Sequence, residues 1–442
     1  MNRRDFIKNS GLTIAGLGLS GIAMPSVFVQ GSPNKRVVVA MMGVNGRGNY
    51  LSGVFAKMPD CEIAYICDPD ERAMTKTIQE VAAIQKRKPA AEKDFRKALE
   101  DKGVDALVIA APDHWHAPGA IIGCSMGKHV YVEKPLCHNP NEGELLVQAA
   151  RKYNRIVQMG SQRRSGNGIQ QMIADIKNGI IGNAYMAKAW YTNNRGPMHL
   201  KDAPVPSWLD YELWQGPAPR KTYQDGLIHY NWHWRWHWGT GEALNNGTHE
   251  VDVARWGLGV EFPSRVSSLG GRYSFKDDDW ETPDTQTISI EFPENKLIVW
   301  ESRSCNNFKS EGADRGTIFY GDNGTVVCPG GNSYTVYDKS GKVIKSFKDE
   351  NDSQDTTNTV SAGANLDEMH IANFLDCVRT GKTPNADCEI GRRSTLLVQL
   401  GNISWRTKQT LEINPTNGYI LKNPAAQRLW KREYEKGWEP KF

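Results

Sequence analysis

The chain has 442 residues, 39% hydrophobic and 24% charged, which is the composition of a soluble globular protein with room for two or three domains. Its formal net charge is +4, and Arg3, Arg4 and Lys8 set against Asp5 supply +2 of that at the extreme N-terminus. The small balance left over excludes a strongly basic nucleic-acid or membrane-binding surface.

Arg3-Arg4-Asp5-Phe6-Ile7-Lys8 precedes an apolar, Gly-rich run from Gly11 to Ala23, followed by polar Gln30 to Lys35. A twin arginine before a short, weakly hydrophobic stretch resembles a Tat signal, which exports proteins already folded. The run is too short to span a bilayer stably. The expectation is a leader and linker over 1–34 and a periplasmic protein. The eight cysteines include no CxxC and no Cys/His metal spacing. They read mostly as small core residues, with Cys377 and Cys388 as a candidate bridge, and no metal is expected.

From Arg36 the pattern is regular. Arg36 to Met42 reads as an apolar strand and runs into Gly43-Val44-Asn45-Gly46-Arg47-Gly48, then a helix to Lys57. A strand over Glu62 to Cys67 ends at Asp68-Pro69, and helices follow around Asp70 to Gln85 and Asp94 to Glu100. Ala106 to Ala110 is a third strand, ending at Ala111-Pro112. A helix over Pro118 to Met126, a strand His129 to Glu133, a helix Asn141 to Tyr153 and a strand Ile156 to Gly160 complete the run. Apolar strands alternating with amphipathic helices imply a parallel sheet covered on both faces. This is a doubly wound Rossmann domain over 35–160.

Gly43 opens the first strand-to-helix turn, where a dinucleotide's pyrophosphate meets a helix N-terminus. The match to G-x-G-x-x-G is imperfect, because Asn45 takes the middle place with Gly46 beside it. Asn45 tolerates unusual backbone angles, so backbone can still approach phosphate. Asp68 lies 25 positions after Gly43, near the roughly 20 expected for a ribose-binding acid. An acid there favours NAD over NADP. Gly43, Asn45, Gly46, Arg47, Gly48 and Asp68 are therefore candidate cofactor residues. Strand ends supply the rest, since ligands sit beyond the carboxyl ends of parallel strands. Pro112, His114 and His116 follow the third strand, and Glu133-Lys134-Pro135 follows the next. Lys134 is placed to meet a substrate hydroxyl beside the nicotinamide, although a surface lysine paired with Glu133 would look the same.

In Gly239 to Asp252, GTGEALNNGTHEVD, Asn245 and His249 stand four apart, so on a helix they share a face. An imidazole oriented by an amide can accept a proton; a capped helix N-terminus is the plainer reading.

Ala111-Pro112-x-x-x-His116, Glu133-Lys134-Pro135 and Gly247-x-His249-x-x-Asp252, behind a glycine-turn domain, resemble the Gfo/Idh/MocA oxidoreductases, which include glucose–fructose oxidoreductase and inositol dehydrogenase. The resemblance covers Arg36 to about Trp405. It implies a Rossmann domain followed by an α/β domain whose large, mostly antiparallel sheet often forms oligomer contacts, and hence a homo-oligomer. It also implies hydride exchange between C–OH of a carbohydrate and a nicotinamide. By the resemblance, the catalytic lysine is Lys134, the catalytic histidine is His249, and the family's aspartate is replaced by Asn245, which is left to orient His249. The family's NAD-dependent glycosidases carry another segment in place of Glu-Lys-Pro, so the intact motif speaks against that class.

A helix near Gly168 to Lys177 leads to a strand around Ala184 to Thr192, then a Pro- and Trp-rich passage from Asn193 to Trp238. Six of the 14 tryptophans fall between Trp208 and Trp238. Trp232, Trp234, Trp236 and Trp238 alternate with His233, Arg235 and His237, as in an extended segment facing two ways. Such rings suit either a core plug or a wall that stacks on a sugar. Trp232, Trp234, His237, Asp252, Arg163 and Arg164 are candidate substrate contacts, the arginines being equally suited to capping the domain junction. Strands follow at Arg265 to Gly271, Thr285 to Glu291 and Lys296 to Ser302, with a hairpin at 319–325. Asn351 to Ala364 reads as a polar loop. Leu366 to Arg379 and Gly391 to Arg406 read as helices, His370 fits core or cleft, and the Trp-bearing tail after about 410 is expected to dock. The reading is an exported oxidoreductase oxidising a sugar or glycoside hydroxyl with retained NAD. The alternatives are a redox-assisted glycoside-cleaving enzyme and a non-catalytic sugar-binding protein.

Overall fold

The computed structural model describes residues 36–350, 352 and 364–442; the twin-arginine segment and nearly all of the 351–364 loop lie outside them. The first sheet takes its strands in the order β3-β2-β1-β4-β5-β6, all parallel. They are β1 (Val37–Met42), β2 (Cys61–Cys67), β3 (Ala90–Glu92), β4 (Ala106–Ile109), β5 (His129–Val132) and β6 (Val157–Met159). The connecting helices are α1 (Arg47–Lys57), α2 (Glu71–Ile84), α3 (Phe95–Glu100), α4 (Asp113–Ser125) and α5 (Pro140–Lys152). Strand order reverses between β1 and β4, which opens a crevice at their carboxyl ends. All four residues of β4 are buried, as a strand covered on both faces requires.

Local chemistry sets the helix starts. Asp70, Asp94 and Asn139 accept from the backbone N–H of Arg72, Arg96 and Glu142, capping α2, α3 and α5. Helix α4 begins at Asp113, five residues before the expected Pro118. Proline there removes the N–H that would bond the carbonyl of His114. Arg432 of the C-terminal tail supplies the missing donor, with Nη2 2.7 Å from His114 O. The same arginine and Tyr434 bond Glu142, and Trp438 packs edge-on against Trp115 with centroids 5.2 Å apart. That is how the tail docks.

The second sheet has nine strands in the order β16-β15-β14-β13-β7-β12-β11-β10-β17. Here β7 is Ala184–Thr192, β10 Arg265–Gly271, β11 Thr285–Phe292, β12 Lys296–Arg303, β13 Arg315–Gly321 and β14 Gly324–Cys328. Strand β15 (Tyr334–Asp338) and the edge strands β16 (Val343–Phe347) and β17 (Leu411–Glu412) were not anticipated. Only β7 and β12 pair in parallel. Helices α6 (Asn167–Lys177), α8 (Thr248–Leu258) and α10 (Cys388–Thr407) contribute with this sheet to one core containing Trp300, Phe319, Val251 and Leu397. Between α6 and α8 runs α7 (Tyr211–Gln215), and α9 (Ala364–Thr380) packs on the first sheet through Ile371, Phe374 and Leu375.

Trp232 to Trp238 is not an extended run, and the Asn193–Trp238 passage that contains it has structure of its own. It holds α7, a two-stranded ribbon of β8 (Lys201–Asp202) with β9 (Gln224–Asp225), and a 3₁₀ turn at Asn231–Trp234. The strict alternation of Trp with polar residues mimics a strand, but stacking overrides it: Trp234 lies on Trp280 at 4.1 Å and 16°. All eight cysteines are free, so Cys377 and Cys388 do not bridge. No helix among the described residues is long and apolar enough to cross a membrane.

Candidate active site

A cleft of about 670 Å³ lies at the carboxyl ends of β1 and β4, a size usual for small-molecule sites. Its first wall is the β1–α1 turn. Gly43 has φ +79°, and a Cβ there would come within 2.6 Å of the Ala111 backbone. A Cβ on Gly48 would meet Gly43 O at 1.8 Å, so both glycines permit close passage of backbone. Unlike α2, α3 and α5, α1 has no side-chain cap, and no acid stands in its first turn. Its leading N–H groups have no partner within the helix and carry the positive end of its dipole. Asp68 accepts from Val44 N at 2.7 Å and Asp70 N at 2.8 Å, which fixes the turn. Burial pushes the Asp68 carboxyl up, against the pull of those two donors. Each oxygen retains a lone pair for a further hydroxyl donor. This donor set fits a dinucleotide: an uncapped helix end for pyrophosphate and a buried acid for ribose.

The β5–α5 turn brings in Lys134. Its Nζ donates to Asn245 Oδ1 at 2.9 Å, and burial pulls its pKa down, opposed by Glu133 and Asp113. Glu133 itself accepts from Arg47 and Gln162, each at 3.1 Å. His116 bridges two turns, its ring nitrogens 2.6 Å from Pro135 O and 2.7 Å from Ala111 O.

Asn245 lies in a π-helical turn, Ala243–Gly247, that leads into α8. The sequence expectation gave Asn245 the task of orienting His249. Instead its Oδ1 holds Lys134, and its Nδ2 lies 3.4 Å from Glu242 Oε1. Glu242, buried, also accepts from Asn246 at 2.5 Å and Arg195 at 2.6 Å. His249 lines the cleft and makes no hydrogen bond to a described residue. Burial, then Lys134, Arg315, Arg163 and Arg47, hold it well below the usual histidine range, so it is a neutral imidazole.

The opposite wall is the segment from Trp208 to Trp238, a strap fastened to the first domain. Glu71 N donates to Trp208 O, Asp210 N to Pro69 O and His114 N to Trp238 O, at 3.0–3.1 Å. His229 Nε2 lies 2.7 Å from Asp70, and Arg72 sits 3.2 Å over the Trp208 ring. Leu213, Trp214, His229, Tyr230, Trp232 and His233 face the cleft from this side.

Of the residues singled out in the sequence, Gly43, Asn45, Gly46, Arg47, Asp68, Pro112, His116, Glu133, Lys134, Asn245, His249, Arg163 and Trp232 line the cleft. Six expected contacts do not. His114 is buried with Nε2 3.0 Å from Trp214 O. Arg164 and Asp252 form a bidentate pair at 2.8 Å, capped by Trp256, inside the junction. Trp234 stacks on Trp280, and His237 lies 2.7 Å from Pro219 O. Gly48 acts through packing rather than contact. Arg47 is no free phosphate ligand either, being tied to Glu133 and Asp367. Arg163 pairs with buried Glu250, as does Arg315 at 2.7 Å. His370 is core: it bonds Ser165 at 2.7 Å and Met159 O at 2.8 Å.

Sequence reading missed Glu242, Tyr230, His233 and Arg315. Glu242 was within reach, three positions before Asn245 in the stretch already marked. Arg315 arrives from a distant strand with no local signal. No group of three or more His, Cys, Asp or Glu among the described residues could hold a metal ion.

Comparison with known proteins agrees with this architecture. Several curated glycosyl hydrolase family 109 proteins match part of the chain. One from Shewanella pealeana is 29% identical over 230 residues, 48% of this chain and 50% of that one. The alpha-N-acetylgalactosaminidase of Shewanella oneidensis is 26% identical over 231 residues. The chain thus spans about half the length of the curated relatives it matches. Among solved structures, aldose-aldose oxidoreductase from Caulobacter crescentus superposes with a TM-score of 0.64 at 16% identity, over 86% of this chain and 100% of that one. Levoglucosan dehydrogenase in complex with NADH and levoglucosan does so at 0.66 and 15%, over 86% and 99%. At such identities these likenesses bear on fold alone. The family model described as the NAD-binding Rossmann fold of the oxidoreductase family matches residues 37–161, and that of its C-terminal alpha/beta domain matches 173–413. The chain belongs to the Gfo/Idh/MocA oxidoreductase family.

Proposed function

We propose that the chain is an exported oxidoreductase that oxidises a hydroxyl of a sugar or glycoside with an NAD that stays bound between turnovers. One observation carries the reading: Lys134, held by Asn245, and unbonded His249 line the same cleft as the uncapped end of α1. A bound nicotinamide supplies the two-electron acceptor. His249, neutral and open, takes the hydroxyl proton. Lys134 holds the oxygen that loses it, and Asn245 keeps the ammonium aimed. Asp68 supports NAD over NADP, because a 2′-phosphate would meet a buried acid. The strap supports retention: six of its side chains cover the cleft and its two ends are bonded to the nucleotide domain. Export rests on Arg3 and Arg4, and a homo-oligomer through the second sheet is supported by exposed Leu269 and Tyr185 on its strands.

Purified protein quenched in acid is expected to release a nicotinamide dinucleotide, and a panel of glycosides to reduce it in the bound state. Protein that releases none and binds none when it is supplied sinks the redox reading. A second reading, redox-assisted glycoside cleavage, is favoured by the family 109 relatives and by a second imidazole in the cleft.

A further inference from the structure

We propose that the cleft selects an acidic sugar: the carboxylate of a uronic acid or its glycoside sits against Arg315 and Arg163 while a ring hydroxyl meets Lys134. This names a substrate class for the oxidoreductase reading and rests on that reading for what becomes of the hydroxyl, whereas the binding claim stands by itself.

The observation is a shortage of acids on the helical wall. Glu250, the residue after His249, is fully buried and is the only carboxylate among the described residues bonded to Arg163 or Arg315. Its Oε1 accepts from Arg315 Nε at 2.7 Å and from Arg163 Nη2 at 3.2 Å, and its Oε2 accepts from Arg163 Nη1. One carboxylate therefore answers two guanidinium charges. The other bonds of the pair go to neutral oxygens: Arg315 Nη2 donates to Asn246 Oδ1 at 3.2 Å, and Arg163 Nη2 to Gly330 O. Arg315 Nη1 donates to no described residue, and its side chain lines the cleft. Gly330 keeps this corner clear, since a Cβ there would come within 2.5 Å of Arg315 Cγ.

Lys134 repeats the pattern, because its hydrogen-bond partner is the Asn245 amide oxygen and not an acid. Asn245 and Asn246 are consecutive on the π-helical turn, so one turn holds both Lys134 and Arg315. The other lysine and arginine side chains that line the cleft are matched, Arg47 by Glu133 and Asp367 and Lys93 by Glu71. Asp113 lines it too, but its carboxyl is bonded to Thr240 and burial pushes its pKa up. Lys134, Arg315 and Arg163 all act on the imidazole of His249, and an anion among them offsets part of that push. A buried cation short of counter-charge favours an anionic ligand, and guanidinium meets carboxylate through short, charge-assisted bonds. A neutral sugar offers Arg315 only a hydroxyl, which is a weaker acceptor.

The test compares methyl glycosides of glucuronic and galacturonic acid with those of glucose and galactose on the full protein as purified. Calorimetry gives Kd, and single-turnover reduction of the bound nucleotide gives the rate. At least one uronide is expected to bind about 100-fold tighter than its neutral counterpart, within the span of a hydrogen bond to a charged group. Arg315→Gln is expected to bring that ratio near one. Asn245→Asp leaves the Glu250 pairs untouched, puts an acid beside Lys134, and should cut the ratio about tenfold, a readout that survives if Arg315→Gln misfolds. Uronides that bind no tighter than neutral glycosides, or a ratio that survives both variants, overturn the proposal. Tighter binding of methyl glucoside 6-sulfate than of the glucuronide also overturns it, since the corner then takes a tetrahedral anion. Neutral glycosides bound and oxidised as well as uronides overturn it and leave the oxidoreductase reading standing; tight uronide binding by a protein that reduces no nucleotide does the reverse.

Discussion

The wall from Glu242 to His249 is built of polar side chains, most of them held by a neighbour, whereas the wall from His229 to Trp238 is built of rings held by stacking. In the first, Glu242 gathers Asn245, Asn246 and Arg195, and Asn245 passes that order on to Lys134. In the second, Trp232, His233 and Tyr230 fix one another by contact and by single bonds to backbone carbonyls. Hydrogen bonds fix direction, which proton transfer to and from a single oxygen requires. Stacked rings fix a plane and leave a broad apolar surface, which suits a sugar ring. The comparison teaches that two imidazoles can be kept neutral by the same first cause, burial, while different scaffolds hold them: cations surround His249, and the Trp232 ring fixes the plane of His233.

The comparison breaks first at Lys134. Lys134→Ala is expected to lower kcat/KM for sugar oxidation by about 1,000-fold, within the usual span for acid–base and positioning groups. Single-turnover reduction of the bound nucleotide measures it, and a merely tenfold loss would remove Lys134 from the chemistry. Next comes the pair behind the helical wall. Arg164→Met strands the Asp252 carboxylate inside the junction and should cost about 3–5 kcal/mol of stability, read by denaturant unfolding. If KM alone rises while stability holds, Arg164 is a substrate contact after all. On the ring wall, Trp232→Ala should raise KM about tenfold and kcat less, since stacking acts on bound substrate and transition state alike.

The smallest effect is the most diagnostic. His249 is held well below the ordinary histidine pKa, so acidification through pH 6.5 should not by itself slow oxidation. Asn245→Asp adds a negative charge beside Lys134 and near His249, which favours the protonated forms of both. The acid limb of the pH–rate profile should move up by about one unit. An unmoved limb would mean that another group controls it.

How far these walls were legible follows from the kind of signal each carries. Apolar strands and capped helices made the first sheet readable, because Val37–Met42 and Ala106–Ile109 are continuous buried runs bounded by turn residues. Helix α4 was misplaced because Pro118 normally opens a helix, and the donor that replaces its missing N–H comes from Arg432, more than 300 residues away. Lys134, Asn245 and His249 could be marked by spacing and resemblance, but the partner of Asn245 could not. An i, i+4 interval suggests His249, while the bond goes to a lysine 111 residues earlier. The tryptophan run misled for a related reason: alternation reports a strand only where no ring finds a better stack.

The π-helical turn at Ala243–Gly247 acts as a phase shifter. A wide turn of this kind holds one residue more than an α-helical turn. Deleting one residue there would swing Glu242 and everything before it by about 100° around the axis relative to His249. A regular helix over the same stretch would turn Glu242, which holds Asn245 and Asn246 from behind, to a different angle relative to cleft-lining His249. The length of this segment therefore matters to the site as much as its composition.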